Sequence, residues 1–167
     1  MTHEKEGESM GKVVKGRYTA ESEDSFVIFV IGFRINKLWA IHHWFPLIIQ
    51  MQGMINELYR NKELGFLDMK FFLSWKGITL IQYWDSFEQL EHYSKHGALH
   101  LTAWKNFNQK IAKGNKVGFY HETYIVESGN YESIYINMPV YGLARATNHI
   151  PIKGRKETAK GRLQKSL

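Results

Sequence analysis

The chain has 167 residues, 44% of them hydrophobic and 14% aromatic, which is one domain's length and enough apolar material for a core. It holds no cysteine, so disulfides, thiolate-bound zinc, iron–sulfur clusters and cysteine nucleophiles are excluded. The net charge of +6 gathers at one end: from Lys153 onward six basic residues face Glu157 alone, leaving 16 basic and 15 acidic groups elsewhere.

With the body nearly neutral and no basic stripe interleaved with aromatics, nucleic-acid binding gains no support. No run reaches the roughly 18 apolar residues of a membrane span. The polar opening MTHEKEGESMGK lacks a signal peptide's apolar core. The expectation is a cytoplasmic protein without a membrane partner.

In chain order, residues 1–24 carry few large apolar side chains and read as a flexible leader. Residues 26–35, FVIFVIGFRI, are apolar on both parities and β-branched, as a central strand covered on both faces would be. Pro46 suits a first helical turn, and Leu47, Ile48, Met51, Ile55, Leu58 and Tyr59 then recur at helical spacing up to a stop near Gly65. Strands over 66–75 and 78–84 follow, joined tightly at Lys76-Gly77.

Ser86 with Gln89 three residues on forms a capping box, so a helix starts there. Gly97 interrupts it before a second helical segment over about 98–113. Residues 117–126 alternate as a strand, with Phe119, His121, Thr123 and Ile125 on one side. A short strand over 131–137 ends before Pro139, and residues 151–167 read as a basic flexible tail.

The order β-α-β-β-α-β over residues 25–150, with an extra helix and a C-terminal strand, is the ferredoxin-like split βαβ arrangement of class α+β. Its sheet is apolar on both faces, while the helices cover only one. A second copy packed sheet on sheet would cover the other, so a homodimer is expected.

No G-x-S-x-G, Walker loop or dinucleotide fingerprint occurs. His96 and His100 lie four apart and share a face if Gly97 leaves the helix unbroken; otherwise they are surface or core-edge residues. His42-His43-Trp44 reads as an aromatic lid, an interface or a polar-ligand site beside a helix start. Arg34 would need a carboxylate partner if buried and nothing if exposed. Trp75, Trp84 and Trp104 with Met69, Phe71, Phe72 and Tyr83 could line a pocket for a flat apolar molecule, or simply form core.

Three passages carry a resemblance. Tyr83-Trp84 followed by Ser86-Phe87-Glu88-Gln89-Leu90, and Tyr93 through His100 with Ala103-Trp104 after it, resemble the helix after the third strand in dimeric α/β-barrel monooxygenases. Gly118 through Tyr124, then Tyr131 through Pro139 and Gly142-Leu143, are similar to a family of small proteins grouped with a fungal polyketide-pathway monooxygenase. The same C-terminal passage resembles the end of the haem-containing aldoxime dehydratases.

The resemblance implies a monooxygenase-type protein that holds a hydrophobic small molecule and, in one version, haem. His121, followed by Glu122, falls where the dehydratases carry their proximal iron ligand, so it is the candidate axial ligand and metal residue. The alternative is a core histidine satisfied by a backbone carbonyl or Thr123. Haem-degrading members of the superfamily place the ligand on the helix that here bears His100, which makes His100 the rival. The dehydratases' distal histidine follows an asparagine, whereas this chain has Asn137-Met138-Pro139. Under this reading Glu122, His100 and Arg34 join His121 as polar catalytic groups, and Trp84, Trp104 and Met138 contact the cofactor. A cofactor-free oxidation of an activated aromatic by oxygen, and a purely binding module, are the other readings.

Overall fold

A computed structural model describes residues 11–110 and 114–163. In chain order its elements are β1 (Val14–Glu21), β2 (Phe26–Ile35), α1 (Ile41–Arg60), β3 (Phe66–Ser74), β4 (Gly77–Trp84), α2 (Phe87–His96), α3 (Ala98–Lys110) and β5 (Val117–Val126). There follow β6 (Tyr135–Met138), α4 (Leu143–Ala146), β7 (Asn148–Pro151) and α5 (Ala159–Arg162). They fall into two compact units, one spanning residues 24–127 and the other joining the chain before residue 24 to the chain from residue 128.

The larger unit is an antiparallel sheet in the order β3-β4-β2-β5 with α1, α2 and α3 on one face. This is the expected ferredoxin-like α+β arrangement. β2 is apolar on both parities because it is central. It pairs with β4 from Val27 opposite Trp84 to Arg34 opposite Gly77, and with β5 from Phe26 opposite Val126 to Ile35 opposite Val117.

The inner face sends Val27, Phe33 and Ile35 of β2, with Ile78, Leu80 and Trp84 of β4, against Ile55 and Leu58 of α1 and Leu90 and Tyr93 of α2. Each such side chain contributes about 1.5–3 kcal/mol by leaving water, so this face holds the helix layer in place. On the outer face Gly32 lets the Tyr120 ring cross the sheet, since a Cβ there would lie 2.7 Å from that ring and from the Ile78 carbonyl oxygen.

Local chemistry explains the helix ends. The Gln89 N–H donates to Ser86 Oγ at 3.2 Å, as the capping box requires. Gly97 has φ −64° and ψ 114°, which is not helical, so α2 stops and α3 restarts one residue later. α1 begins at Ile41, ahead of the expected start, and Pro46 stands inside it, where its ring nitrogen offers no bond to the His42 carbonyl. Residues 111–113 of the expected helical segment lie outside the described residues.

The outer face is less bare than the sequence implied. Phe26 and Tyr83 are buried and Ile28, Val30 and Ile81 half-buried, while Tyr120 and Tyr124 at the β5 margin are 42% and 51% exposed.

The smaller unit is a three-stranded antiparallel sheet in the order β6-β1-β7. This corrects two expectations. The supposed leader contains β1, whose Thr19 and Ala20 are buried and whose Ala20 N–H donates to Ser133 Oγ at 2.9 Å. Small residues and backbone pairing hold it, which a count of large apolar side chains misses.

The supposed loose tail is also tied down. Lys156 pairs with Glu21 and Arg162 with Glu132, each at 2.7 Å, and Thr158 caps α5. The strand expected over 131–137 is β6, four residues long, and it pairs with β1 rather than with the larger sheet. Residues 164–167 lie outside the described part. No described helix is long and apolar enough to cross a membrane.

Candidate functional site

Between the inner sheet face and the three helices lies a cavity of about 150 Å³. Its floor includes Phe29, Ile31 and Leu80, its α1 wall Met51 and Met54, and its α3 wall Trp104 and Phe107. The cavity exists because alternate residues of β2 and the helical-period stripe of α1 face each other across the layer boundary.

Five lining residues are polar: Gln50, Gln82, Tyr93, Ser94 and His100. Three of these are satisfied: the Ser94 hydroxyl donates to the Glu91 carbonyl at 2.8 Å. The Trp84 indole N–H donates to Gln82 Oε1 at 2.9 Å, and the Tyr93 hydroxyl donates to Glu57 Oε2 at 2.8 Å. Burial, followed by the Glu57 carboxylate beside it, pushes the Tyr93 phenol well above its ordinary value, so it stays protonated.

Gln50 Oε1 and His100 Nδ1 differ: both are buried, and neither has a hydrogen-bond partner. Burial lowers the His100 pKa below 6.5, against a hydrogen bond between the imidazole and the Ser94 backbone that raises it, so the imidazole is neutral at neutral pH. An orphaned buried acceptor costs about 1–3 kcal/mol. Two such atoms, one on the α1 side and one on the α3 side of a mostly apolar cavity, mark where a ligand's polar group would be held.

The residues singled out from sequence disperse. His100 lines the cavity, and Gly97 separates it from His96, which stacks on His92 with ring centroids 4.5 Å apart. His121 is exposed on β5. It stands at the cavity rim, its ring centroid 5.5 Å from Phe29 and 6.1 Å from Phe119.

Glu122 points to the opposite sheet face, where its carboxylate accepts the Tyr124 hydroxyl at 2.7 Å. It is therefore not a cavity group, because neighbouring strand residues face opposite ways. Arg34 is exposed at the end of β2 on that same outer face. Trp84 is buried and forms cavity wall, while Trp104 is 46% exposed and stacks on Phe107 at the rim. Met138 lies on β6 of the smaller unit and does not line the cavity. Trp75, Phe71 and Phe72 are exposed, and Trp75 sits in the turn between β3 and β4.

Sequence reasoning missed Gln50, Gln82 and the Glu57–Tyr93 pair. For Gln50 there was a signal, since it interrupts the apolar helical stripe of Leu47, Met51, Met54 and Leu58.

Among the described residues no cluster of three or more His, Asp or Glu could hold a metal ion. The residues expected around haem converge here only in part: His100, Trp84 and Trp104 line the cavity, whereas His121 does not. A cavity of 150 Å³ is on the scale of one aromatic ring, below the roughly 300–1,000 Å³ of cofactor and drug-sized sites. Arg34 and Glu122, expected as its polar neighbours, belong to the other face.

Fold and site together define an α+β ferredoxin-like protein with a small apolar cavity under its helix layer. The chain belongs to the monooxygenase af470-like family, whose model matches residues 26–143. It is similar to monooxygenase af470 of Aspergillus fumigatus, 28% identical over 170 positions, covering 89% of this chain and 59% of that protein. The chain thus spans under two thirds of that relative's length. Among solved structures, an aldoxime dehydratase in complex with butyraldoxime superposes with a TM-score of 0.66 at 22% identity, over 80% of this chain and 40% of that one. A second aldoxime dehydratase gives 0.65 at 22% identity, over 80% and 41%. These likenesses concern the fold.

Proposed function

We propose that the chain is a monooxygenase-type protein that binds a small, flat, hydrophobic molecule in the cavity and works without a prosthetic group. The observation that carries this reading is the pair of partnerless buried atoms, Gln50 Oε1 on α1 and His100 Nδ1 on α3, in a mostly apolar cavity lining. Family membership supports the oxidative chemistry.

In this reading Gln50 accepts a donor group on the ligand, and neutral His100 takes a proton from an activated C–H position. The carbanion passes electrons to dioxygen. For a methylene group becoming a carbonyl, one oxygen atom enters the product, and the other leaves as water with the two hydrogens of the methylene. The Phe and Met walls keep bulk water from quenching the carbanion.

The haem-dependent alternative draws on the fold likeness to the aldoxime dehydratases and would place His121 as axial ligand at the open rim. A non-catalytic binding module using the same cavity is the remaining alternative. A second copy against the outer face also belongs to the reading, with Tyr120 and Tyr124 as the exposed side chains it would cover.

The test is paired ligand binding. 4-Cresol is expected to bind at least tenfold more tightly than toluene, a difference of about 1.4 kcal/mol, and Gln50→Leu with His100→Phe to erase that preference. Oxygen uptake with activated aromatic methylene compounds then separates catalysis from storage. Equal affinity for the two ligands, or a haemin titration whose shifted Soret band vanishes in His121→Ala, would overturn the reading.

A further inference from the structure

Three connections of the larger unit meet at one end of its sheet. They are residues 36–40 between β2 and α1, the Trp75-Lys76 turn between β3 and β4, and residues 114–116 before β5. Backbone bonds tie them together: the Ile35 N–H donates to the Lys76 carbonyl at 2.6 Å, and the Asn36 N–H to the Lys116 carbonyl at 2.8 Å.

This end carries the most exposed large apolar side chains of the unit. Trp75 is 83% exposed, Leu73 75% and Trp39 68%. Ile41, Phe45 and Ile49 extend the surface along one stripe of α1, each more than half exposed. Lys37 and Lys116 hold their ammonium groups 5.9 and 6.0 Å from the Trp39 ring centroid. Lys76 sits beside Trp75. Residues 36–56 contain no Asp or Glu, and neither do residues 114–116.

We propose that this end of the larger unit docks on an anionic lipid surface, with Trp39, Trp75 and the Ile41–Phe45–Ile49 stripe entering the interface and Lys37, Lys76 and Lys116 meeting the headgroups. Exposed tryptophans flanked by lysines, without carboxylates, match what a negatively charged interface solvates: apolar rings at the acyl boundary and ammonium groups just above. A second copy seated on the same patch would bring three lysines against their own images, a like-charge arrangement that association disfavours. Nucleic acid would leave Leu73, Ile41 and Ile49 without partners. Lying on a bilayer requires no spanning helix, so the absence of one among the described residues is compatible with this surface.

The test is co-sedimentation of the full chain with large vesicles of phosphatidylcholine alone and of phosphatidylcholine with about 30% phosphatidylserine. Wild type is expected to sediment with the anionic vesicles and far less with the neutral ones. Changing Lys37, Lys76 and Lys116 to Gln should weaken binding by about fivefold per lysine, roughly a hundredfold in all. Trp39→Asp with Trp75→Asp should abolish it. Circular dichroism confirms that the variants fold, which is expected because the altered side chains are partly or largely exposed. No sedimentation with either vesicle, equal binding to both, or a fall in oligomeric mass caused by the tryptophan changes would each overturn the proposal. The last would make the patch a protein interface.

Discussion

Replacing Gln50 with Met should make the free protein more stable while weakening its hold on ligand. The buried Oε1 has no partner, and such an atom costs about 1–3 kcal/mol. Met has nearly the same length and adds apolar contact with Met51 and Met54, which line the same cavity. Repacking offsets part of the gain, so the net effect should be about 1 kcal/mol. For a chain of this size that corresponds to a rise in Tm of about 2–4 °C.

A thermal melt followed by circular dichroism measures it, and 4-cresol titration of the same sample should show about tenfold weaker binding. Opposite signs in the two assays are the signature of a polar group kept for a ligand rather than for the fold. A lowered Tm would mean that Oε1 has a structural partner, and the binding reading would then lose its main support.

The pH dependence follows from His100. Its folded pKa lies below 6.5, so between that value and 6.5 the unfolded chain binds more protons. The stability associated with the neutral imidazole is therefore complete above about pH 6.5 and is lost as pH falls toward the folded pKa. Urea unfolding across this window should show a weaker acid dependence in His100→Phe than in wild type; identical slopes would exclude His100 as the buried titrating group. The outer-face pairing predicts a particle of twice the chain mass in sedimentation equilibrium, reduced to one chain by Tyr124→Arg. A single-chain wild type would dismiss the homodimer.

Much of the larger unit was legible because its signals are local. The two-parity run of β2 marked a central strand, the Ser86–Gln89 box placed the start of α2, and Gly97 broke the helix where its backbone leaves helical angles. The smaller unit was not legible. β1 is held by buried Thr19 and Ala20 and by partners more than a hundred residues away, and such contacts leave no periodic trace in a segment of mixed polar residues. The basic tail misled for a related reason, since its composition says nothing of the carboxylates of Glu21 and Glu132 that pair with it.

The candidate residues divide in the same way. Residue type and resemblance found His100 and His121, but spacing alone could not say which would line a hollow and which would stand at its rim. By itself, the amino-acid order determined the ferredoxin-like succession of strands and helices, because hydrophobic period and capping chemistry are properties of neighbouring residues. Only tertiary packing decided that Gln50 and His100 line one cavity, that Glu122 and Arg34 face away from it, and that the hollow is the size of one ring. Those are consequences of register between strands and of helix rotation over the sheet, and both are set by contacts between residues far apart in the chain.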